Sequence, residues 1–545
     1  MIRDAIEGLA DATHDVCVVG AGPVGISLAL ELERLGKSVL LLESGGDADE
    51  AEAQALSDAH IVDPARHDDM RIAVARRLGG TSNLWGGRCL PFDPIDFEPR
   101  AAVGGALWPI GFDEMAPHLA SAIRYACAGA AVFAVDDARS PEGDFSITTL
   151  ERWSGKPRLQ TAHRQALESS DRIDLRLHAT VVALEWKDGR VAALRAVAKD
   201  GQSVRVPVRE AVLATGGLES TRLLLAEQRR RPALFGGPEG PLGRYYMGHV
   251  IGEIADIAFA DEATDRLFEF YIDAHGSYVR RRFAPTAEAQ RRHGLMNIAL
   301  WPVVPRISDA RHGDGFLSSI ALALSIRPFG GRIIAEAIRK RHIPEGMARL
   351  PHVMNLVRDL PRTAIALPRL LWNRYLAAVP VPAFYRRNAA RRYGLSYHSE
   401  QAPSPLSRVS LVADTDSTGL PRLTIDLRFS DEDASSVVRT HELLAAWLER
   451  AKLGRIEFRH EPGRRQAAVL AQASHGTHQI GTARMARSRE DGVVDRDLRV
   501  FDADNLFVAS SAVLPTSGQA NPTLTVMALA MRLAEKLAKG RANGG

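Results

Sequence analysis

The sequence predicts a mixed α/β fold organised on a parallel sheet, and three observations lead there. The apolar, β-branched run Asp15-Val16-Cys17-Val18-Val19-Gly20 is followed by helical spacing from Gly22 to Leu35 and a second apolar run from Lys37 to Leu42. That is the pattern of a buried parallel strand, a crossover helix and the next strand. A second strand runs into a glycine turn and a helix at Leu213-Ala214-Thr215-Gly216-Gly217-Leu218-Glu219-Ser220. The 545 residues are 46% hydrophobic and 25% charged, the balance of a globular chain long enough for several domains or two large interleaved ones.

The first turn, Gly20-Ala21-Gly22-Pro23-Val24-Gly25, is G-x-G-x-x-G placed directly after a strand and opening a helix. Its first glycine permits the tight turn, the second lets backbone approach a pyrophosphate, and the third permits close helix packing. Glu43 ends the next strand, 18 residues beyond Gly25, where an acid accepts a ribose hydroxyl pair. Together these predict a Rossmann-type dinucleotide site. Its N-terminal place and the trailing Glu43-Ser44-Gly45-Gly46 favour FAD over NAD.

Further along, a helix-rich stretch is expected after Gly111, and strands at Leu175–Leu177, Val181–Leu184, Val191–Val197 and Ala211–Ala214. Residues 327–393 carry 14 Arg and Lys against 3 acids, although the whole chain sums to only +3. This segment reads as an arginine-faced helical insertion, or as a surface resting on anionic lipid or a partner protein. Arg422 to Leu427 alternates as a strand does, and helical spacing follows Pro522 to the end of the chain.

The charge balance, 69 Lys and Arg against 66 Asp and Glu, gives no support to a nucleic-acid binder. Cys17, Cys89 and Cys127 lack C-x-x-C spacing, which excludes a disulfide framework or zinc ribbon, and no metal site is expected. The acidic N-terminus and the lack of any apolar stretch of about 18 residues predict a cytoplasmic protein, with contact at a membrane only peripheral.

Near the end lie His475-Gly476-Thr477-His478-Gln479-Ile480-Gly481-Thr482 and Pro515-Thr516-Ser517-Gly518-Gln519-Ala520-Asn521-Pro522-Thr523. With the N-terminal glycine motif and the central Leu78-Gly79-Gly80-Thr81-Ser82-Asn83-Leu84-Trp85-Gly86-Gly87, these resemble the glucose–methanol–choline family of FAD-dependent alcohol oxidoreductases. The resemblance covers about 13–255 and 395–540, and is nearest the bacterial branch of pyranose oxidases and glycoside dehydrogenases. It implies an FAD-binding domain from 1–100, 170–255 and 465–545, interleaved with an antiparallel-sheet substrate domain from 101–169 and 256–464. Ser399–Pro403 and Arg408–Leu411 resemble strands of that second domain.

The resemblance further implies that His478 is the catalytic base, taking a hydroxyl proton as hydride leaves the same carbon for the flavin, with Asn521 as its partner. Asn521 has a competing use as a helix N-cap, and His475 suits a loop position. The residues expected at FAD are Gly20, Gly22, Pro23, Val24, Gly25, Glu43, Ser44, Gly79, Gly80, Thr81, Asn83, Leu84, Trp85, Gly86, Val182, Thr215, Gly216, Glu219, Ser510, Pro522 and Thr523. Leu84 stands where covalent flavoproteins of the branch carry a histidine, so FAD is expected to be non-covalent. Ser510 stands where many members have Asp. Gly248-His249 closes a family-like segment of open role.

The implied reaction is oxidation of a secondary alcohol on a sugar or glycoside to a ketone. A non-sugar alcohol (polyol, sterol or natural product) and a non-catalytic flavin electron carrier are the alternatives. Oxygen, a quinone or an electron-transfer protein would reoxidise the flavin.

Overall fold

The structure is a computed structural model that describes residues 2–3, 6–137, 140–325, 347–361, 363–365, 381–382, 385 and 387–540. Much of the basic segment 327–393 lies outside the described residues.

The opening unit forms as the sequence dictates. Strand Val16–Val19 is buried at every position, helix Pro23–Arg34 starts with proline at its first turn, and strand Val39–Leu42 returns beside the first. They belong to a six-stranded, wholly parallel sheet in the order Ile2–Arg3, Ile173–Arg176, Val39–Leu42, Val16–Val19, Glu210–Leu213, Leu506–Val508. From Val16–Val19 the chain builds outward to one side first and fills the other side later. The carboxyl ends of Val16–Val19 and Glu210–Leu213 therefore flank a crevice at a topological switch point, where such sheets bind ligands. The final helix, Thr523–Lys539, packs on Pro23–Arg34, and Leu524, Met527 and Met531 join one core with Ile26, Leu28, Val18 and Leu213.

The strands expected between 181 and 197 appear as Thr180–Lys187 and Arg190–Val197. With Ser203–Pro207 they form a separate antiparallel sheet rather than extending the parallel one. The helix-rich stretch after Gly111 is shorter than its spacing suggests: it holds Phe112–Met115 and Leu119–Tyr125 before irregular chain.

A second core lies behind the four-stranded antiparallel sheet Ile298–Val303, Arg392–Ser399, Val250–Phe259, Gly454–Phe458. Helix Asp431–Arg450 covers it with Leu444, Trp447 and Leu448 against Ile254, Ile257, Tyr393 and Leu395. Strand Val250–Phe259 runs straight through the expected domain boundary at 255. Helix Arg465–Gln472 packs with this second core through Val469, so a boundary at 465 also falls too early. Ser399 ends its strand, and residues 400–403 are not extended into the sheet. The alternating segment forms strand Pro421–Asp426, paired with Arg408–Thr415.

Candidate active site

The crevice at the switch point is a cavity of about 510 Å³. Its floor is the first glycine turn. Gly20 has φ +98°, and a Cβ there would lie 2.7 Å from the Ala214 carbonyl oxygen. A Cβ on Gly25 would lie 1.8 Å from the Gly20 oxygen, so the helix can close on the turn only with glycine there. A Cβ on Gly22 would meet only Gly80 Cα, at an ordinary 3.9 Å, and Gly22 lines the cavity, leaving the N-terminus of Pro23–Arg34 bare for an anion. The second glycine segment folds onto the first. The Gly79 N–H donates to the Ala21 carbonyl at 2.9 Å, and a Cβ on Gly80 would approach Gly22 Cα to 2.8 Å.

Glu43 is buried against this turn. Its carboxylate accepts the N–H of Ala21 at 2.8 Å and of Gly45 at 2.9 Å, and burial pushes its pKa up against those bonds. Ser44 shares a 2.8 Å hydroxyl contact with Thr180 and accepts from Arg76, which also pairs with Glu219.

Most of the expected cofactor residues line the one cavity: Gly20, Gly22, Pro23, Val24, Glu43, Ser44, Gly80, Thr81, Leu84, Trp85, Gly86, Thr215, Gly216, Glu219, Ser510, Pro522 and Thr523, together with His478 and Asn521. Four do not. Gly25 lies beneath the turn, and Gly79 packs against the Gln160 side chain. Asn83 turns its amide to the carbonyls of Leu78 and Gly80 and borders a neighbouring cavity. Val182 lies one residue beyond Ala179, Thr180 and Val181, which line the cavity. Arg76, Thr477 and Gln479 also line it and were missed; no motif spacing marks them.

The cavity is suited to a polar cofactor on the structure's own terms. Ser510 Oγ and Asn521 Oδ1 are buried on its wall with no hydrogen-bond partner among the described residues, and such groups are costly unless a ligand meets them. The bare helix end and the open face of Gly22 accommodate a pyrophosphate.

His478 and Asn521, 43 positions apart, meet on the cavity wall with Asn521 Nδ2 3.0 Å from His478 Nε2. Asn521 makes no side-chain cap to the final helix, which starts at Thr523, so the contact with His478 takes precedence over capping. Behind His478 a chain of hydrogen bonds continues: His478 Nδ1 to His249 Nδ1 at 2.9 Å, and His249 Nε2 to the Ser517 carbonyl at 3.2 Å. Both ends fix the proton positions. An amide nitrogen can only donate, so His478 Nε2 is the acceptor and its proton sits on Nδ1. A carbonyl can only accept, so His249 Nε2 donates and His249 Nδ1 is left to receive the His478 Nδ1–H. The two independent ends demand the same polarity.

His398 stacks on His249 with ring centroids 4.2 Å apart and donates from Nδ1 to the Gln519 carbonyl; His475 lies 4.5 Å from His478. Burial is the main cause holding His478, His249 and His398 well below the ordinary histidine value, and takes His475 down to about 3. The neighbouring rings add to this for all except His475, where His67 does so. The Arg88 guanidinium, 4.5 Å over the Trp301 ring, adds to it for His478, His249 and His398. The four rings offer nitrogens within 4.8 Å of one another, a spacing a cation could use. Yet both nitrogens of His478 and His249 and one of His398 are committed to hydrogen bonds.

Residues 403–530 match the family model described as GMC oxidoreductase, and residues 13–62 the one described as FAD binding domain. In these two segments the chain is like the GMC oxidoreductases. The protein binds FAD and is an oxidoreductase of alcohol groups. It is 22% identical to a 2-methyl-1,2-propanediol dehydrogenase of Mycolicibacterium austroafricanum, over 97% of this chain and 96% of that protein. It is 36% identical to a C-glycoside 3-oxidase of Arthrobacter globiformis over 23% of this chain and 22% of the other. An Aspergillus oryzae formate oxidase shares its fold with a TM-score of 0.52 at 15% identity, covering 97% of this chain and 99% of that one. Among the described residues no helix is long and apolar enough to cross a membrane.

Proposed function

We propose that this oxidoreductase converts a secondary alcohol on a sugar or glycoside to a ketone, with His478 as the base and Asn521 as its partner. The carrying observation is the pair itself: an imidazole acceptor and an amide donor 3.0 Å apart on the cavity wall, with the imidazole's tautomer set from behind by His249. FAD, when bound, supplies the acceptor for the hydride. A substrate hydroxyl that donates to His478 Nε2 and accepts from Asn521 Nδ2 replaces the direct bond between them. His478 then takes the proton at Nε2 while its Nδ1–H stays on His249 Nδ1, so the new positive charge is stabilised by a bond already in place. Asn521 fixes the oxygen's position.

Gly20, Gly22 and the helix end beyond them would hold the pyrophosphate, Glu43 the ribose, and Ser510 a polar edge of the cofactor. Leu84 on the wall offers no nucleophile, which supports non-covalent binding. Acid precipitation tests this: the flavin should stay in the supernatant, and flavin retained in the pellet would contradict it. The free thiols of Cys17 and Cys89, both buried, are in keeping with a reducing compartment, and we place the protein in the cytoplasm on that ground.

The sugar reading is supported by the relative named a C-glycoside 3-oxidase. A second reading, a small diol or other non-sugar alcohol, is favoured by the full-length relative named a 2-methyl-1,2-propanediol dehydrogenase. Anaerobic mixing of the yellow protein with panels of glycosides, sugars and diols separates them. Bleaching by glycosides is the expected result; bleaching by diols alone would move the assignment to the second reading. Admitting air, then a quinone, to the reduced protein identifies the acceptor.

A further inference from the structure

Fourteen large apolar side chains stand exposed among the described residues, and six of them, Leu350, Val353, Met354, Val357, Leu360 and Ile365, fall within sixteen positions. Four belong to helix Arg349–Arg358, at the spacing of a single helical stripe. The stripe is inverted. The face that packs on helix Gly315–Ser325 presents polar groups: His352 is buried with Nδ1 3.1 Å from Ser318 Oγ, and Asn355 Nδ2 donates to Ser318 Oγ at 3.2 Å and to the Ala310 carbonyl of the preceding turn at 2.8 Å. Hydrogen bonds therefore pin the helix with its apolar residues outward, the reverse of the arrangement a core-facing helix adopts.

We propose that this face docks on an anionic lipid surface. The apolar stripe is bounded by exposed Arg349 and Arg358, and it sits inside the segment 327–393 with its 14 basic residues against 3 acids. Apolar side chains that enter the headgroup boundary, flanked by Arg349 and Arg358 that meet lipid phosphates, give a reversible peripheral contact. A second copy of the chain is the poorer occupant, because both copies would carry the same basic surplus in this segment. The proposal is independent of the catalytic assignment: none of these residues lines the cofactor cavity.

The test is co-sedimentation of the FAD-loaded full chain with vesicles of phosphatidylcholine alone, or with about a third phosphatidylglycerol, at about 50 mM and about 500 mM salt. The expected result is binding to the anionic vesicles that weakens at least about tenfold in high salt or on neutral vesicles. The double variant Val353→Glu/Val357→Glu should lose binding at least about tenfold while keeping its thermal midpoint and its turnover of a soluble substrate. Equal binding to neutral vesicles, unaltered binding by the double variant, or no binding at all would overturn the proposal. A wild-type dimer that the double variant splits, without lipid binding, would reassign the face to self-association.

Discussion

Replacing His249 by Phe removes the one acceptor that fixes the proton of His478 on Nδ1, and the consequence can be sized from the structure. The bond is 2.9 Å long and its acceptor ring is fully buried. Leaving a buried donor without its partner costs about 1–3 kcal/mol, toward the upper end once the ring becomes cationic. Expressed on the barrier, that is about a 5- to 150-fold loss in the rate of flavin reduction. Part of it reflects rings whose proton has moved to Nε2, where it blocks the base. The assay is anaerobic stopped-flow reduction at saturating substrate, with FAD content measured alongside. His249→Asn places an amide oxygen near the position of Nδ1 and should recover much of the rate, whereas Phe should not. The Phe variant is expected to keep FAD, because His249 does not line the cofactor cavity. A Phe variant that reduces its flavin as fast as wild type, or an Asn variant no better than Phe, would refute the tautomer argument.

Two further outcomes follow from the same geometry. His249, His398, His475 and His478 are held neutral below the ordinary 6.5 that each regains on unfolding. Below that value the unfolded chain binds protons that the native chain does not, so stability is full at neutral pH and declines on acidification. The four rings together remove on the order of a few kcal/mol between about pH 7.5 and 5.5. Thermal midpoints of the FAD-loaded protein check this, and a midpoint that holds or rises toward pH 5.5 would count against a neutral cluster. Ser510→Ala removes a buried hydroxyl that has no partner among the described residues. The apoprotein should be no less stable, while FAD affinity falls by about fivefold, as for one lost hydrogen bond; flavin titration of both forms reads the two quantities, and unchanged affinity would remove Ser510 from the site.

What could be read in the sequence was what repeats or is spaced. The opening strand–turn–helix and Glu43 stand on chemistry local to one segment each, whereas His478 and Asn521 came from the family resemblance alone; the fold brings all of them to a single crevice. How far a strand reaches along the cavity was less legible: Val181 and Val182 are chemically alike, and only the assembled fold ends the cavity wall at Val181. The strand Val250–Phe259 crosses position 255 because its apolar residues continue on both sides of Glu253 and Asp256, and nothing in that run marks which sheet it joins. His398 and Arg88 were invisible as site residues because each is a single side chain delivered by a strand remote in sequence. His249 had been marked by its glycine neighbour, but its role needs Ser517 and His478 in place before it has meaning.

The account turns on His478 accepting the substrate proton. The most direct measurement is the rate of anaerobic flavin bleaching in His478→Gln against wild type, at matched FAD occupancy and with the best substrate of the panel. The account predicts retained FAD and a rate lower by at least about a hundredfold. A rate within a few-fold of wild type would contradict it.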